Sequence, residues 1–422
     1  MKIRLFAFAL ILGTLAGCSG GYNGQLLGTQ DRPGWNNVIP YGMVYVPSGT
    51  LHIGQSDQDL NNAMVQKSKS ISIQGFYMDA TEITNNEYRQ FVYWVRDSVT
   101  AKTLGGEYLS QDDAGNETVN WETVEQLDYN STDEEVSAQL DPLFVPENER
   151  FWGKKEWDVT NLNFEYYWMD WKEAAKLVNK GKPRSEYIRT GGPVNVYPDT
   201  LVWVRDFSYS YNEPMTRNYF WHPAFDDYPV VGVNWHQAVA FGAWRTKFWN
   251  DYHMANDMVI NDDFRLPTES EWEYAARGGR KNAQYPWGGP YTRNSKGCIL
   301  ANFKPGRGNY PEDGGFYTVR ADAYWPNDYG IYNMAGNVSE WTSSFYHENS
   351  YGFFHDMNPD IRYDADPNDP IAKKRKVIRG GSWKDVAYFL QVSTRHWEYQ
   401  DTSKSYVGFR NVLTFLGRSI ND

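Results

Sequence analysis

The chain has 422 residues, and its 41 Lys and Arg against 53 Asp and Glu give a formal net charge of -12 at pH 7. This balance argues against nucleic acid as a partner, because phosphate binding needs clustered Lys and Arg. The length exceeds the ~250–300 residues at which a single core stops growing, so one enlarged domain and two domains both fit. Aromatic residues make up 17% of the chain. Such a load suits a fold with much irregular backbone, where large side chains with polar tips fill space and satisfy loop amides.

The first residues have the pattern of an export signal. Lys2 and Arg4 form a short basic start, and residues 5–12 form an apolar run too short to span a bilayer. The following Leu15-Ala16-Gly17-Cys18 resembles a bacterial lipobox, which predicts a signal peptide of residues 1–17 and lipid attachment at Cys18. An ordinary secretory signal with a chance cysteine is the alternative. Residues 18–40, rich in Gly, Asn and Gln, then predict a lipidated tether.

The next elements follow from short-range patterns. Two apolar alternating runs around Pro47-Ser48-Gly49 predict two strands joined as a hairpin, and Ile71, Ile73 and Phe76 continue the strand pattern. Three helices are predicted by capping-box spacing followed by helical periodicity. Their start signals are Thr84 with Glu87, Asn234 with Gln237, and Thr268 with Glu271.

A long insertion occupies about residues 97–227. Its first part is acidic and its later part is rich in Tyr and Trp, and the aromatic density of residues 194–229 predicts order there. Interface centres favour large aromatic residues, so this segment is a candidate contact surface. The alternative is that Trp168, Trp203 and Trp221 fold back and thicken the protein's own core.

Three motifs carry a family resemblance. They are Phe264-Arg265-Leu266-Pro267-Thr268-Glu269-Ser270-Glu271-Trp272, Gly336-Asn337-Val338-Ser339-Glu340-Trp341 and Arg379-Gly380-Gly381-Ser382-Trp383. Together they resemble the formylglycine-generating-enzyme family, also called the sulfatase-modifying-factor family. The resemblance implies an α+β, C-type-lectin-like fold with much irregular structure, formed by residues 41–422 with the insertion inside it.

At the two positions where this family has catalytic thiols, the sequence has other residues. The family's enzymes oxidise a substrate cysteine with two thiols, the first three residues after the Ser of the Gly-Gly-Ser motif and the second five further on. Here those positions are Asp385 and Leu390. Neither side chain can act as a thiolate toward copper or a substrate cysteine, so we expect no copper and no such activity. The remaining cysteine, Cys298, is predicted to be a small buried residue.

Calcium is the cofactor that the resemblance implies, because tight oxygen-rich loops suit hard cations. One loop would use the Asn333 side chain, the Gly336 and Val338 carbonyls and the Glu340 carboxylate. The other would use the Asn302 side chain, the Phe303 carbonyl, the Asp313 carboxylate and the Gly315 carbonyl. The alternative is that these side chains only hydrogen-bond their own loops. The basic run Lys373-Lys374-Arg375-Lys376 is predicted to be a solvated start to a strand.

A narrower resemblance rests on four features together. They are the lipobox, the missing thiols, the long insertion and the segment Tyr209-Ser210-Tyr211-Asn212-Glu213-Pro214-Met215. In these features the chain resembles the ring lipoprotein K family of type IX secretion and gliding motility. The paralogous lipoprotein J family shares many of these sequence motifs. The resemblance implies a structural outer-membrane lipoprotein, anchored on the periplasmic side through its lipid. It would self-associate in a ring with the periplasmic ring partner N. The alternatives are an enzyme rebuilt around Asp385, Arg395 and His396, and a lectin-like receptor for sugars or peptides.

Overall fold

The computed structural model describes residues 38–54, 68–111, 115, 117–129 and 134–417. The predicted signal peptide, Cys18 and nearly all of the tether lie outside the described residues. The residues from Ile39 onward form one compact unit, and the insertion is part of it. Within the described ranges, no helix is long and apolar enough to cross a bilayer.

The regular elements are short and are joined by long irregular segments. The strands are β1 (Met43–Val46), β2 (Gly49–Ile53), β3 (Lys69–Ile73), β4 (Phe76–Asp79), β5 (Leu109–Gln111), β6 (Glu117–Val119), β7 (Asn163–Met169), β8 (Ile188–Asn195), β9 (Ser339–Phe345), β10 (Arg375–Arg379), β11 (His396–Tyr399), β12 (Val407–Gly408) and β13 (Val412–Thr414). The helices are α1 (Asn85–Leu104), α2 (Trp121–Val124), α3 (Glu134–Leu140), α4 (Trp171–Ala174), α5 (Val202–Arg205), α6 (Glu213–Asn218), α7 (Trp235–Ala255) and α8 (Glu269–Arg277). This mixture has the α+β character that the motifs predict.

The three predicted helix starts are confirmed. In α1, α7 and α8 the side chain of Thr84, Asn234 or Thr268 accepts a hydrogen bond from the third helical amide. The Glu or Gln side chain at that third position in turn accepts one from the backbone amide of the cap residue. Each cap satisfies amides that have no partner within the first turn. The helices therefore begin where local sequence alone places them.

The predicted opening hairpin is wrong, although both of its strands form. β1 pairs with β4 and β2 pairs with β3, so the two strands diverge after the Pro47-Ser48 turn into separate sheets. β4 is also paired with β13 near the other end of the described chain, which gives the sheet order β1-β4-β13. Pairing with distant strands thus overrides the hairpin that the local pattern favours.

The largest sheet has the order β11-β10-β9-β12 and carries two of the sequence motifs. β10 pairs antiparallel with β9 and β11, and β12 pairs parallel with β9. In this register Glu340 of β9 lies opposite Arg379 of β10 and Gly408 of β12. The glycine motif that follows Arg379 therefore leaves the sheet next to the start of β9.

The main apolar core lies between α1, α7 and this sheet, and the insertion completes it. Tyr88 of α1 stacks on Phe241 of α7 with 5.7 Å between ring centroids. Its hydroxyl donates to the carbonyl of Val196 at 2.9 Å. Phe164 and Phe220, both from the insertion, belong to the same buried cluster. Part of the insertion is thus built into the core.

The aromatic residues of the insertion divide between core and surface. Trp203 is buried, and its ring stacks on Trp383 of the Gly-Gly-Ser-Trp motif at 6.2 Å. Trp168 and Trp221 stay partly exposed, and Tyr209 and Tyr211 project into solvent. The core-thickening interpretation therefore holds for Trp203, while the other side chains remain available for contacts.

The basic run before the glycine motif leads into β10, as predicted, and Lys373 is exposed, but Lys376 is not solvated. Lys376 is 0% exposed, and its Nζ donates to the carbonyl of Tyr363 at 2.8 Å. Lys374 Nζ donates to the carbonyl of Pro367 at 2.8 Å, and Lys373 Nζ lies 3.4 Å from Asp369 Oδ1. The lysines hold the segment of residues 360–369, which we call the clamped loop.

Candidate functional site

A small recess lies where the glycine motif leaves the sheet, at the place where the family resemblance expects thiols. It is lined by Ser339, Ile378, Arg379, Gly380, Gly381, Lys384, Asp385, Phe389, Thr394, His396 and Tyr406. Gly380 and Gly381 both have positive φ, 95° and 68°. A backbone in this region favours glycine, so the turn that shapes the recess depends on these two residues.

Asp385 lines the recess but is used to hold the turn. Its Oδ2 accepts from the amide of Ser382 at 3.0 Å and from the Ser382 hydroxyl at 2.6 Å. Its Oδ1 accepts from Lys384 Nζ at 2.9 Å, and that ammonium also lies 4.0 Å from the centroid of the Tyr406 ring. A carboxylate with these partners fixes the local backbone and carries no nucleophilic thiol.

Leu390, at the second expected thiol position, faces the interior. It is 0% exposed and packs in an apolar cluster with Tyr285, Ile299, Phe303 and neighbouring residues. A Cβ added to Gly381 would lie 3.1 Å from Leu390 Cδ1, so the glycine turn is packed directly against this leucine. The two expected thiol positions thus hold a turn-fixing carboxylate and a core side chain.

The alternative set of Asp385, Arg395 and His396 is not brought together. His396 lines the recess with Asp385, and burial lowers the pKa of its imidazole although the charge of Asp385 opposes the shift. Arg395 instead donates through Nη2 to Glu269 at 2.8 Å and through Nη1 to the carbonyl of His347 at 2.9 Å. With its guanidinium held there, Arg395 cannot complete a site with the other two residues.

A buried network of charges supports the recess from behind, and sequence reasoning missed it. Arg379, fully buried, donates to Glu273 and, at 2.9 Å, to the carbonyl of Thr394. Glu273 also accepts from Arg277 at 2.6 Å. Burial opposes ionisation of Glu269, but the charges of Arg395 and Arg379 outweigh burial and lower its pKa. Glutamates on α8 thus fix the arginines that lie on both sides of the glycine motif.

Cys298 is exposed, so the prediction that it is buried is wrong. It lies in a turn closed by an isolated bridge between Arg293 and Ile299, and its amide donates to Asn294 Oδ1 at 3.0 Å. Ile299, the next residue, takes the buried position in the cluster around Leu390. A one-residue difference in which side chain points inward accounts for the error.

The predicted calcium loop of Asn302, Phe303, Asp313 and Gly315, which we call the first loop, contains oxygen atoms of the kinds that a hard cation binds. Asp313 Oδ2 accepts from the amide of Phe303 at 2.7 Å, and Oδ1 accepts from the amide of Gly315 at 3.0 Å. Burial raises the pKa of Asp313, although these backbone hydrogen bonds oppose the shift. A Cβ at Gly315 would lie 3.1 Å from Asn302 Oδ1, so the amide oxygen faces the same turn. One carboxylate, one amide oxygen and nearby carbonyls fit calcium chemistry.

The predicted loop of Asn333, Gly336, Val338 and Glu340, which we call the second loop, packs on the first. The carboxylate of Glu340 already has an arginine partner. A Cβ at Gly336 would lie 2.4 Å from the carbonyl oxygen of Asn302. Glu340 accepts from Arg410 Nε at 2.7 Å and Nη2 at 2.6 Å, and from Trp272 Nε1 at 2.8 Å. Because Arg410 already neutralises Glu340, a divalent ion on the same carboxylate would lie beside a fixed cation. Glu340 as a ligand stays a prediction, in which the ion would share the carboxylate with Arg410.

Glu82 is the carboxyl group of this loop that sequence analysis missed. It is fully buried, and it accepts from the side-chain amides of Asn333 at 3.2 Å and Asn337 at 3.0 Å. Its pKa is raised to about 8, because burial and the nearby charge of Glu340 outweigh the opposing charge of Arg410. A proton or a cation would neutralise this group. The described residues hold no cluster of three or more His, Cys, Asp or Glu side chains, so each loop depends on amide and carbonyl oxygens.

Comparisons with known proteins agree on the family. The sulfatase-modifying factor enzyme 1-like domain matches residues 33–415. The formylglycine-generating enzyme of Bos taurus is 26% identical over 390 residues, which are 91% of this chain and 78% of that enzyme. The inactive C-alpha-formylglycine-generating enzyme 2 of Bos taurus is 35% identical over 190 residues, 44% of this chain and 50% of that protein.

Among solved structures, PvdO from Pseudomonas aeruginosa superposes with a TM-score of 0.48 at 15% identity, covering 88% of this chain and 94% of that one. The family assignment itself comes from the domain match, which spans all the motifs and the insertion. The protein therefore belongs to the sulfatase-modifying factor enzyme 1-like domain family.

Proposed function

We propose that this protein is a structural outer-membrane lipoprotein of the type IX secretion and gliding-motility machinery and not a thiol oxidase. In this proposal Cys18 carries the lipid, and the domain faces the periplasm. There it self-associates in a ring with the periplasmic ring partner N. The observation that supports the non-enzymatic part is that Asp385 and Leu390 occupy the two positions where the family has thiols.

Asp385 and Leu390 support this proposal through chemistry and through packing. Asp385 holds the Ser382 turn and pairs with Lys384, and Leu390 fills the apolar cluster under the glycine motif. A thiol oxidase needs a thiolate that a substrate or a metal can reach. Cys298, the single cysteine among the described residues, does not line the recess.

Exposed aromatic side chains on the insertion support a role in assembly. Phe151 and Trp152 stack on each other with 5.2 Å between centroids, and Trp152 is 92% exposed. Trp152 also has a positive φ of 54°, a conformation that costs a bulky residue energy. Tyr209 and Tyr211 add further exposed rings. Such side chains are typical of interface centres, where partner contact removes them from water.

Calcium in this proposal is structural. The Asn302, Phe303, Asp313 and Gly315 set would hold it in the first loop. Asn333, Gly336, Val338 and Glu340, with Glu82 beside them, would hold it in the second. A cation there would neutralise buried carboxylates and tie the two packed loops together, without any part in a reaction.

The test of the assembly is purification from outer membranes under gentle detergent, followed by identification of what co-elutes. We expect the ring partner and further copies of this chain. Alanine at Phe151, Trp152, Tyr209 and Tyr211 should reduce partner recovery without changing the melting temperature. Tyr291→Ala, which removes an equally exposed ring outside the insertion, is the matched control. Full partner recovery with every insertion variant would remove the insertion as the contact surface.

Two further experiments test the anchor and the missing chemistry separately. Cys18→Ala should leave an unprocessed precursor that loses outer-membrane association, and unchanged fractionation with continued lipid labelling would contradict the lipobox prediction. Purified protein incubated with copper, oxygen and a sulfatase-type cysteine peptide should form no aldehyde. Aldehyde above the protein-free blank would overturn the non-enzymatic proposal.

A further inference from the structure

The most basic surface of the insertion is the turn region between β7 and β8, residues 170–189, which we call the hairpin tip. It contains six cationic and three acidic side chains, a net charge of +3 in a chain of net charge -12. The cations are Lys172, Lys176, Lys180, Lys182, Arg184 and Arg189, and all six are exposed. The tip is therefore a basic patch on an acidic protein.

The tip is a folded structure. Asp170 caps α4 by accepting from the amide of Glu173 at 2.9 Å, and its own amide donates to the carbonyl of Tyr187 at 2.9 Å. Asn179 is buried, and its side-chain amide donates to the carbonyl of Glu173 at 3.0 Å. A shallow cavity lies between these residues and the side chains of Lys180 and Lys182. These hydrogen bonds fix the backbone of the tip, and the backbone determines which side chains point outward.

Several apolar side chains also point outward, among the exposed cations. Leu177 and Val178 lie in the short 3-10 turn Leu177–Asn179, whose third residue points inward, and they are 84% and 79% exposed. Trp171, also exposed, lies nearby with the guanidinium of Arg184 at 5.5 Å from its ring centroid. Ile188 adds a further exposed apolar side chain where β8 begins. Apolar side chains surrounded by cations on a fixed turn form an amphipathic surface.

The kind of cation distinguishes the partners that could cover this surface. Four of the six are lysines, which are depleted from the centres of protein–protein interfaces, whereas arginine is enriched there. Clusters of four to eight Lys and Arg are typical of sites that bind anionic lipid headgroups. Trp, Leu and Val beside such a cluster enter the boundary between headgroups and acyl chains, while the lysine stems extend toward the headgroup phosphates.

From this combination we infer that the hairpin tip docks on an anionic membrane surface, with Leu177, Val178 and Trp171 at the acyl boundary and the lysines on headgroup phosphates. The inference needs neither the lipid anchor nor the ring, because it rests on the charge and shape of the tip alone. It gives the domain a second membrane contact through its own side chains and fixes how the domain is turned toward the bilayer.

The experiment places a fluorescent label on the full-length chain at the tip. Val178→Cys is labelled with an environment-sensitive dye in a Cys18→Ser and Cys298→Ser background, so that position 178 holds the single thiol. Tyr209→Cys in the same background gives the matched control at an exposed position. Vesicles carry lipid-borne quenchers at headgroup depth and contain either phosphatidylglycerol or phosphatidylcholine alone. We expect quenching and a blue shift at position 178 with phosphatidylglycerol, and neither at position 209. Because the readout is local, it does not depend on how the rest of the chain is attached.

Charge removal tests the electrostatic part. Lys180→Gln with Lys182→Gln should weaken tip contact about 30-fold, from about a tenfold loss per 1.4 kcal/mol and about 1 kcal/mol per basic side chain near an anionic surface. The pair Lys281→Gln and Lys296→Gln removes the same charge elsewhere and should leave contact unchanged. Three results would each overturn the inference. They are equal quenching with both lipids, no quenching at position 178, and a blue shift at position 178 with an acidic polypeptide but not with vesicles.

Discussion

Replacing Lys376 by methionine gives the sharpest test of the buried polar interior. Its Nζ lies 3.7 Å from the centroid of the Trp235 ring and 3.4 Å from Asp364 Oδ1. Burial, the largest effect, lowers the pKa of Lys376 from 10.5 to about 8. Lys376→Met keeps an unbranched apolar side chain that is one atom shorter, and it removes the titrating ammonium.

The sign of the effect follows from proton uptake. Below pH 8 both folded and unfolded chains hold the proton, and the full cost of burying the charge is present. Between about pH 8 and 10.4 the folded chain has released the proton while the unfolded chain retains it, so stability rises with pH. The wild-type protein should gain about 2.5 kcal/mol over the Lys376→Met variant between pH 7 and pH 10.

Urea unfolding at a series of pH values measures this difference. Other groups titrate in both proteins and cancel when the two curves are subtracted. Lys374→Met, which removes a second lysine that holds the clamped loop, controls for loss of the loop contact itself. Parallel stability curves for the wild-type and Lys376→Met proteins would refute the reasoning.

Three further expectations concern the turn, the charge network and the metal loops. Gly381→Ala, where the added Cβ would lie 2.8 Å from a backbone carbonyl at φ +68°, should lower the urea midpoint more than Gly297→Ala, which has positive φ and open space; equal losses would contradict the packing argument. Glu273→Gln leaves Arg379 buried without its main counter-charge and should cost about 3–5 kcal/mol, measured by guanidinium unfolding; a loss below about 1 kcal/mol would contradict it. Calcium at a hundredfold excess over the dissociation constant of one site should add about 2.7 kcal/mol, so chelation should lower the melting temperature, and Asp313→Ala should make that decrease smaller by removing one of the two sites. An unchanged melting temperature on chelation, with no metal by elemental analysis, would leave those side chains as loop hydrogen-bonding groups only.

Features that depend on neighbouring residues could be predicted from the sequence. The capping boxes at Thr84, Asn234 and Thr268 join a side chain to an amide three residues away, so their physics is contained in a short segment. The α+β fold also followed from the motifs. The strands β1 and β2 were predicted correctly as strands for the same reason, since alternation of apolar side chains is local.

Features that depend on distant partners could not be predicted in this way. The partner of β1 is β4, and the partner of Glu340 is Arg410, far along the chain in both cases. Lys376 is expected in solvent because charged side chains usually lie there, and its burial is explained by distant partners, the carbonyl of Tyr363, the carboxylate of Asp364 and the ring of Trp235. Glu82 gave no signal, because a single glutamate before a helix cap has many ordinary roles.

The sheet order β1-β4-β13 has a consequence for how the protein is made. The central strand β4 lies early in the chain, and one of its two neighbours is among the last described segments to be synthesised. Until β13 arrives, β4 has a free hydrogen-bonding edge, and an unpaired edge can pair with another chain. Contacts of such long sequence separation also slow folding, because a large loop must close first. Final closure of this sheet is therefore delayed until β13 has been synthesised, and a chain that ends before Val412 would keep an edge that promotes aggregation.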